Sequence, residues 1–150
     1  EISQTAINLA RTENKLDIPI YHGSVTDMPF DNILYDGIFS YALIHLLNKP
    51  EREQFIKNCY NQLNTNGYMI FSTISKASSM YGKGTKLSKD RFKTANGANL
   101  FFYDEESIKQ EFGKYGFIRS EPIEEPIKFA ANHPPMQFTI VICQKRTPGP

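Results

Sequence analysis

Cysteine is scarce, net charge is almost nil, and long apolar runs are missing. Two cysteines among 150 residues, Cys59 and Cys143, are too few for a disulfide framework and lack the clustered spacing of a zinc site. His22 and His133 stand at no metal-ligand spacing from each other or from cysteine, so no metal is expected. No apolar run approaches the ~18 residues a membrane span requires, and the opening residues lack a basic segment with an apolar core behind it. With 17 Lys and Arg against 16 Asp and Glu, the formal charge of +1 removes any global electrostatic case for nucleic acid or an anionic membrane. These absences point to a soluble protein of the reducing cytoplasm. A length of 150 residues with 40% hydrophobic content suits one domain. The chain opens on Glu1 rather than Met and runs straight into a helical pattern, as expected of a chain whose true beginning lies upstream.

Apolar spacing through Ala6, Ile7, Leu9 and Ala10 behind Ser3, a good N-cap, predicts a helix over residues 4–14. The β-branched and aromatic stretch Asp17–His22 reads as an edge strand, because Pro19 cannot donate to a ladder. A polar loop, Gly23–Phe30, leads to a second strand at Tyr35–Ser40 and a short apolar turn at Ala42–Leu47. Pro50 opens a helix with an apolar stripe of Phe55, Ile56, Cys59, Tyr60 and Leu63. Asn64–Gly67 should end it, Gly67 supplying a left-handed residue. Tyr68–Ile74 has the continuous apolar character of a buried strand. Residues 75–100 read as one long loop carrying six basic residues against Asp90. Asp104-Glu105-Glu106 starts an acid-rich helix that stops at Gly116, and strands near Ile118–Ile123 and Phe138–Cys143 could pair antiparallel across a Pro-rich connection. The alternation predicts an α/β class with a largely parallel sheet.

An open α/β sheet binds ligands at the carboxyl ends of its strands, which here are Gly23–Phe30, Ser40–His45 and Ser72–Ser75. Asp27 could accept from a ligand amino group, or could be a turn residue ahead of Met28-Pro29. His45, between Ile44 and Leu46, is either a packed histidine or a general base. Tyr81–Lys86 has the wrong spacing for a phosphate loop and fits a mobile lid better. The basic run from Lys76 to Lys93 could greet an anionic substrate or be solvated surface.

The order of Glu1-Ile2-Ser3, Gly23–Phe30, Tyr35–Ser40 and Ala42–Leu47 resembles a class I S-adenosylmethionine-dependent methyltransferase over residues 1–145. Leu63–Ile70 resembles the approach to the fifth strand of that fold. Tyr81–Gly84 with Phe101-Phe102-Tyr103 and Phe117 is similar to a small-molecule, tellurite-resistance-like subgroup. The resemblance implies a Rossmann-like sheet, S-adenosylmethionine as cofactor and a small-molecule methyl acceptor. It places Glu1 at the cofactor ribose, Val25 and Asp27 at the adenine with Met28 against its ring, and Ser40 and Tyr41 beside the methionine part. It also puts His45 near the acceptor, so His45 and Tyr41 become the catalytic candidates.

The family's first strand and its acidic-Gly-x-Gly loop, which should precede Glu1, are absent from the sequence. In a sheet of order 3-2-1-4-5-7-6 the missing strands would sit at the centre. The expectation is therefore the C-terminal portion of a single methyltransferase domain, with a lid at 75–100 and a tail at 146–150. The 150-residue chain alone should be inactive and prone to self-association through an unpaired edge. The alternative is a non-catalytic binding or assembly module with a truncated methyltransferase-like fold.

Overall fold

The computed structural model describes residues 1–125 and 135–147. In chain order it contains helix α1 (Gln4–Thr12), strand β1 (Tyr35–Tyr41), helix α2 (Lys49–Asn61) and strand β2 (Leu63–Ile74). Short strands β3 (Thr85–Ser88), β4 (Arg91–Lys93) and β5 (Asn99–Phe101) follow, then helix α3 (Glu105–Phe112), β6 (Phe117–Glu125) and β7 (Met136–Gln144). No helix among the described residues is long and apolar enough to cross a membrane. The Pro-rich connection, His133 and the end of the tail lie outside the described residues.

The main sheet has the order β1-β2-β7-β6. β1 and β2 run parallel, joined through α2, with Ile38 beside Met69 and Ser40 beside Phe71. β7 runs antiparallel to both β2 and β6, forming the expected C-terminal hairpin. The mixed α/β class of the sequence reading holds, and of the three ladders of this sheet the β1–β2 ladder is the parallel one.

Alternation sorts the sheet residues between two faces. Met69, Phe71, Val141 and Cys143 face α2 and α3, where they bury Ile44, Phe55, Ile56, Tyr103 and Phe112 in one cluster. Phe71 lies edge-on between Phe55 and Phe112, with ring centroids 5.5 and 5.2 Å away. On the opposite face a second cluster joins Ile74 and Phe138 to Phe92, Leu100 and Phe102. Farther along that face Phe39 and Tyr68 are exposed.

Local signals set the helix ends. Ser3 Oγ accepts from Ala6 N, Asn48 and Glu51 form a reciprocal capping box around α2, and Asp104 with Ser107 does the same for α3. Pro50 occupies the second turn position of α2 rather than the first, since Lys49 is already helical. After α3, Gly116 is left-handed at φ 70°, and a Cβ there would meet Gln144 O at 2.0 Å.

Four expectations need correction. Residues 17–22 form no strand: they make no ladder, and Ile18 and Tyr21 are exposed, so burial gives the segment no reason to pleat. They are tied to residue 1 instead, with Gly23 N donating to Glu1 O at 3.0 Å. In α1 only Ile7 is buried, and Leu9 points to solvent. Gly67 does not supply the left-handed residue after α2. α2 ends instead at Gln62 with φ −85°, β2 begins directly at Leu63, the left-handed Asn66 at φ 66° lies inside β2, and Gly67 is required because a Cβ would lie 2.9 Å from Asn64 O. Residues 75–100 are not one long loop: they fold into the antiparallel meander β3-β4-β5, whose Phe92 and Leu100 are anchored under Ile74.

Candidate active site

β1 delivers its last residues to the carboxyl end of the sheet, where the chain turns sharply. Ala42 adopts φ 51°, uncommon for a residue with a Cβ, while its N–H still bonds Ser72 O at 3.0 Å. This left-handed step ends β1 and leads into the 3-10 turn Ile44–Leu46, which carries His45.

His45 is 5% exposed and lies against Phe138, ring centroids 6.0 Å apart. Its Nδ1 accepts the Ile74 backbone N–H at 3.1 Å and lies 3.3 Å from Thr73 Oγ1. A backbone N–H can only donate, so Nδ1 must keep its lone pair and the neutral ring carries its proton on Nε2. Burial pushes the imidazole pKa down to about 4, in keeping with a neutral ring.

Ser40, one residue before the end of β1, is buried, and its Oγ has no hydrogen-bond partner. Ser72 Oγ on β2 is likewise buried and unpartnered. Tyr41 faces the other side of the sheet, half-exposed and stacked on Phe138 at 6.4 Å. The Glu125 carboxylate beside its hydroxyl raises its pKa, holding the phenol protonated. Tyr41 and Ser40 therefore point to opposite faces, and the structure does not bring them together.

The loop before β1 is a 3-10 turn, Val25–Asp27. Ser24 Oγ accepts from Thr26 N, and Asp27 Oδ2 accepts from Ser24 N at 3.1 Å. Asp27 thus performs the turn-capping role that local chemistry allowed, while its side chain stays exposed. Val25 and Met28 pack on the core cluster beside α2, and Asn58 Nδ2 reaches Val25 O at 3.5 Å. Glu1 Oε1 accepts from Ser3 N at 2.8 Å.

Glu1, Ile2, Gly23, Ser24, Val25, Leu43 and Leu47 line one open cleft of about 400 Å³. Of the residues singled out from sequence, Glu1 and Val25 share this cleft, Asp27 and Met28 flank it on the same turn, and His45 stands on the adjacent 3-10 turn. Gly23 also packs under Phe30, since a Cβ there would come within 2.7 Å of that ring.

Sequence reasoning overlooked Arg52. It is 2% exposed, with Nη2 2.7 Å from Glu111 Oε1, and Tyr103 Oη donates to Glu111 at 2.6 Å. Its place three and four residues before Phe55 and Ile56, on the apolar stripe of α2, was the available signal. Among the described residues no group of His, Cys, Asp and Glu could hold a metal ion.

A methyltransferase-domain family matches residues 1–71. Curated protein sequences give no match. Among solved structures, an S-adenosylmethionine-dependent methyltransferase from Methanosarcina mazei superposes with a TM-score of 0.74 at 13% identity, over 99% of this chain and 81% of that one. TehB from Haemophilus influenzae follows at TM-score 0.64 and 18% identity, over 97% of this chain and 48% of its own. The Burkholderia thailandensis 1,6-didemethyltoxoflavin-N1-methyltransferase, solved with 1,6-didemethyltoxoflavin and S-adenosylhomocysteine, gives 0.64 at 12% identity, over 98% and 58%. The chain thus spans about half the length of TehB and under two thirds of the Burkholderia enzyme. It has the fold of the class I S-adenosylmethionine-dependent methyltransferases, with a methyltransferase domain matched over its first 71 residues.

Proposed function

We propose that this chain binds S-adenosylmethionine in the cleft between Glu1 and Val25 and serves methyl transfer to a small-molecule acceptor. The observation that carries the reading is the convergence of Glu1, Gly23 and Val25 on one cleft beside the carboxyl end of β1. The residues fit such a ligand. Ser40 Oγ is a buried polar atom without a partner, and Glu1 uses only one carboxylate oxygen among the described residues. Glu1 would take the ribose hydroxyls, the Val25 amide and Asp27 the adenine edge, Met28 its face, and Ser40 the methionine end. S-adenosylmethionine supplies a methyl group already activated on a sulfonium, so the protein's work is alignment and exclusion of water.

His45 is a donor in this scheme. With Nδ1 held by Ile74 N–H, its Nε2–H can hold and orient an acceptor group, whereas proton abstraction at Nε2 would require the tautomer that the backbone disfavours. Tyr41, on the opposite face and raised in pKa, contributes at most as a hydrogen-bonding phenol. A second reading, an assembly module, draws on Phe39, which is 66% exposed on β1. Calorimetric titration with S-adenosylhomocysteine separates the two. The methyltransferase reading expects saturable binding that Asp27→Ala weakens by about 1–3 kcal/mol with the circular-dichroism spectrum unchanged. Absence of saturable heat would favour the assembly module.

A further inference from the structure

A second cleft of about 400 Å³ opens where the β3–β4 turn meets α2 and α3. Its lining includes Arg52, Lys89, Asp90, Arg91, Phe101 and Glu111. The acids in it are already committed. Asp90 takes Lys76 Nζ at 2.8 Å and the Tyr81 hydroxyl at 2.8 Å, while Glu111 takes Arg52 and Tyr103. Arg52 is equally occupied: it bonds Glu111 through Nε and Nη2, donates through Nη1 to Leu47 O, and lies flat on Phe101 at 3.8 Å. It forms a fixed, neutralised wall.

Lys89 and Arg91 differ, having no ion-pair partner among the described residues. Arg91 Nε is buried and its N–H meets no acceptor. A half-buried cation with an unpaired N–H, lining a cleft whose carboxylates are all spoken for, calls for an acceptor that carries negative charge. Two cations flank the turn residue Asp90, held left-handed at φ 60°, so their spacing is set by a tight hairpin rather than by a floppy loop.

We infer that the cleft between the β3–β4 turn and α2 binds an oxyanion, the carboxylate or phosphoryl group of a small molecule, through Arg91 and Lys89. Arg91 supplies the guanidinium charge and its unpaired N–H, Lys89 the second positive charge, and the Arg52–Phe101 stack the rigid wall. The inference does not depend on the cofactor reading, because the cleft lies on different residues from the Glu1–Val25 cleft.

The test follows the Arg91 side-chain Nε–H signal by nuclear magnetic resonance while the full chain is titrated, at constant ionic strength and without any methyl donor. Inorganic phosphate is the probe in one arm and succinate in the other. A saturable shift of that signal is expected in at least one arm, and the arm that saturates at lower concentration identifies the group. Arg91→Gln should weaken binding, read by calorimetry, about tenfold or more, and Lys89→Gln about threefold. Lys57→Gln, on the exposed side of α2, should leave it unchanged. Lys89 is an exposed turn residue, so its variant tests the site even if Arg91→Gln unfolds the hairpin. An Nε–H signal unmoved in both arms, or equal weakening by Lys57→Gln and Lys89→Gln, overturns the inference.

Discussion

His45 shows how burial and one backbone donor define what a side chain can do. Its folded pKa of about 4 lies below the ordinary 6.5, because burial disfavours the cation. Between those values the unfolded chain binds a proton that the folded chain refuses. Stability should therefore fall as the pH drops from about 6.5 to about 4, by up to on the order of 3 kcal/mol. Urea titrations at the two ends of the window check this, and His45→Gln should flatten the dependence. A slope that survives the substitution would place the titrating group elsewhere. At Gly116 the constraint is steric: a left-handed φ and a Cβ that would strike Gln144 O. Gly116→Ala should cost about 2 kcal/mol or more in chemical denaturation, far beyond the loss expected at Gly37, where a Cβ meets nothing.

Between elements, buried polar contacts do the joining. The Arg52–Glu111 pair ties α2 to α3, and Tyr103, at the end of the meander, completes it. Arg52→Ala strands the Glu111 carboxylate in the core and should cost about 3–5 kcal/mol, whereas the double replacement Arg52→Met with Glu111→Leu should be much milder. Lys76 links β2, the β3–β4 turn and α3 by bonding both Asp90 and Asp104. Burial works against ionised Asp104, yet the bonds from Lys76 and Ser107 outweigh it and hold its pKa at about 2. That clasp contributes its stability above about pH 4 and loses it as the pH falls toward about 2, below the window of His45. Hydrogen exchange in the meander of wild-type and Asp104→Asn protein checks the link. Faster exchange at Phe92 and Leu100 in the variant is expected, and equal protection would show that the apolar cluster holds the meander alone.

The same elements show what was legible in advance. Helix starts read well because their signals are local: Ser3, and Asp104 with its trailing acids, cap as their chemistry dictates. Strands over 17–22 and 85–101 read badly for one shared reason. A strand exists only with a neighbour, and the partner is set by tertiary structure: residues 17–22 look pleated yet have no ladder, while the Lys-rich 85–93 stretch pairs because Phe92 and Leu100 find a common core. Of the candidates that family order supplied, Glu1 and Val25 line one cleft, while Asp27 caps its own turn. The site was illegible at His45, whose tautomer depends on Ile74, twenty-nine residues away.

At the scale of the whole molecule, the β1-β2-β7-β6 order places β1 at one side of the sheet, paired among the described residues with β2 alone. Phe39, Tyr41 and Tyr68 leave that side apolar and exposed. The carboxyl end of β1, its left-handed exit at Ala42 and the Glu1–Val25 cleft lie together, and the central claim is that this corner holds the cofactor. The most direct measurement is amide hydrogen exchange across the full chain with and without saturating S-adenosylhomocysteine. The account predicts new protection confined to Gly23–Met28 and Ser40–Leu47, with the β3–β4 turn unchanged. Protection elsewhere with those two segments unaltered, or none at any concentration, would contradict it.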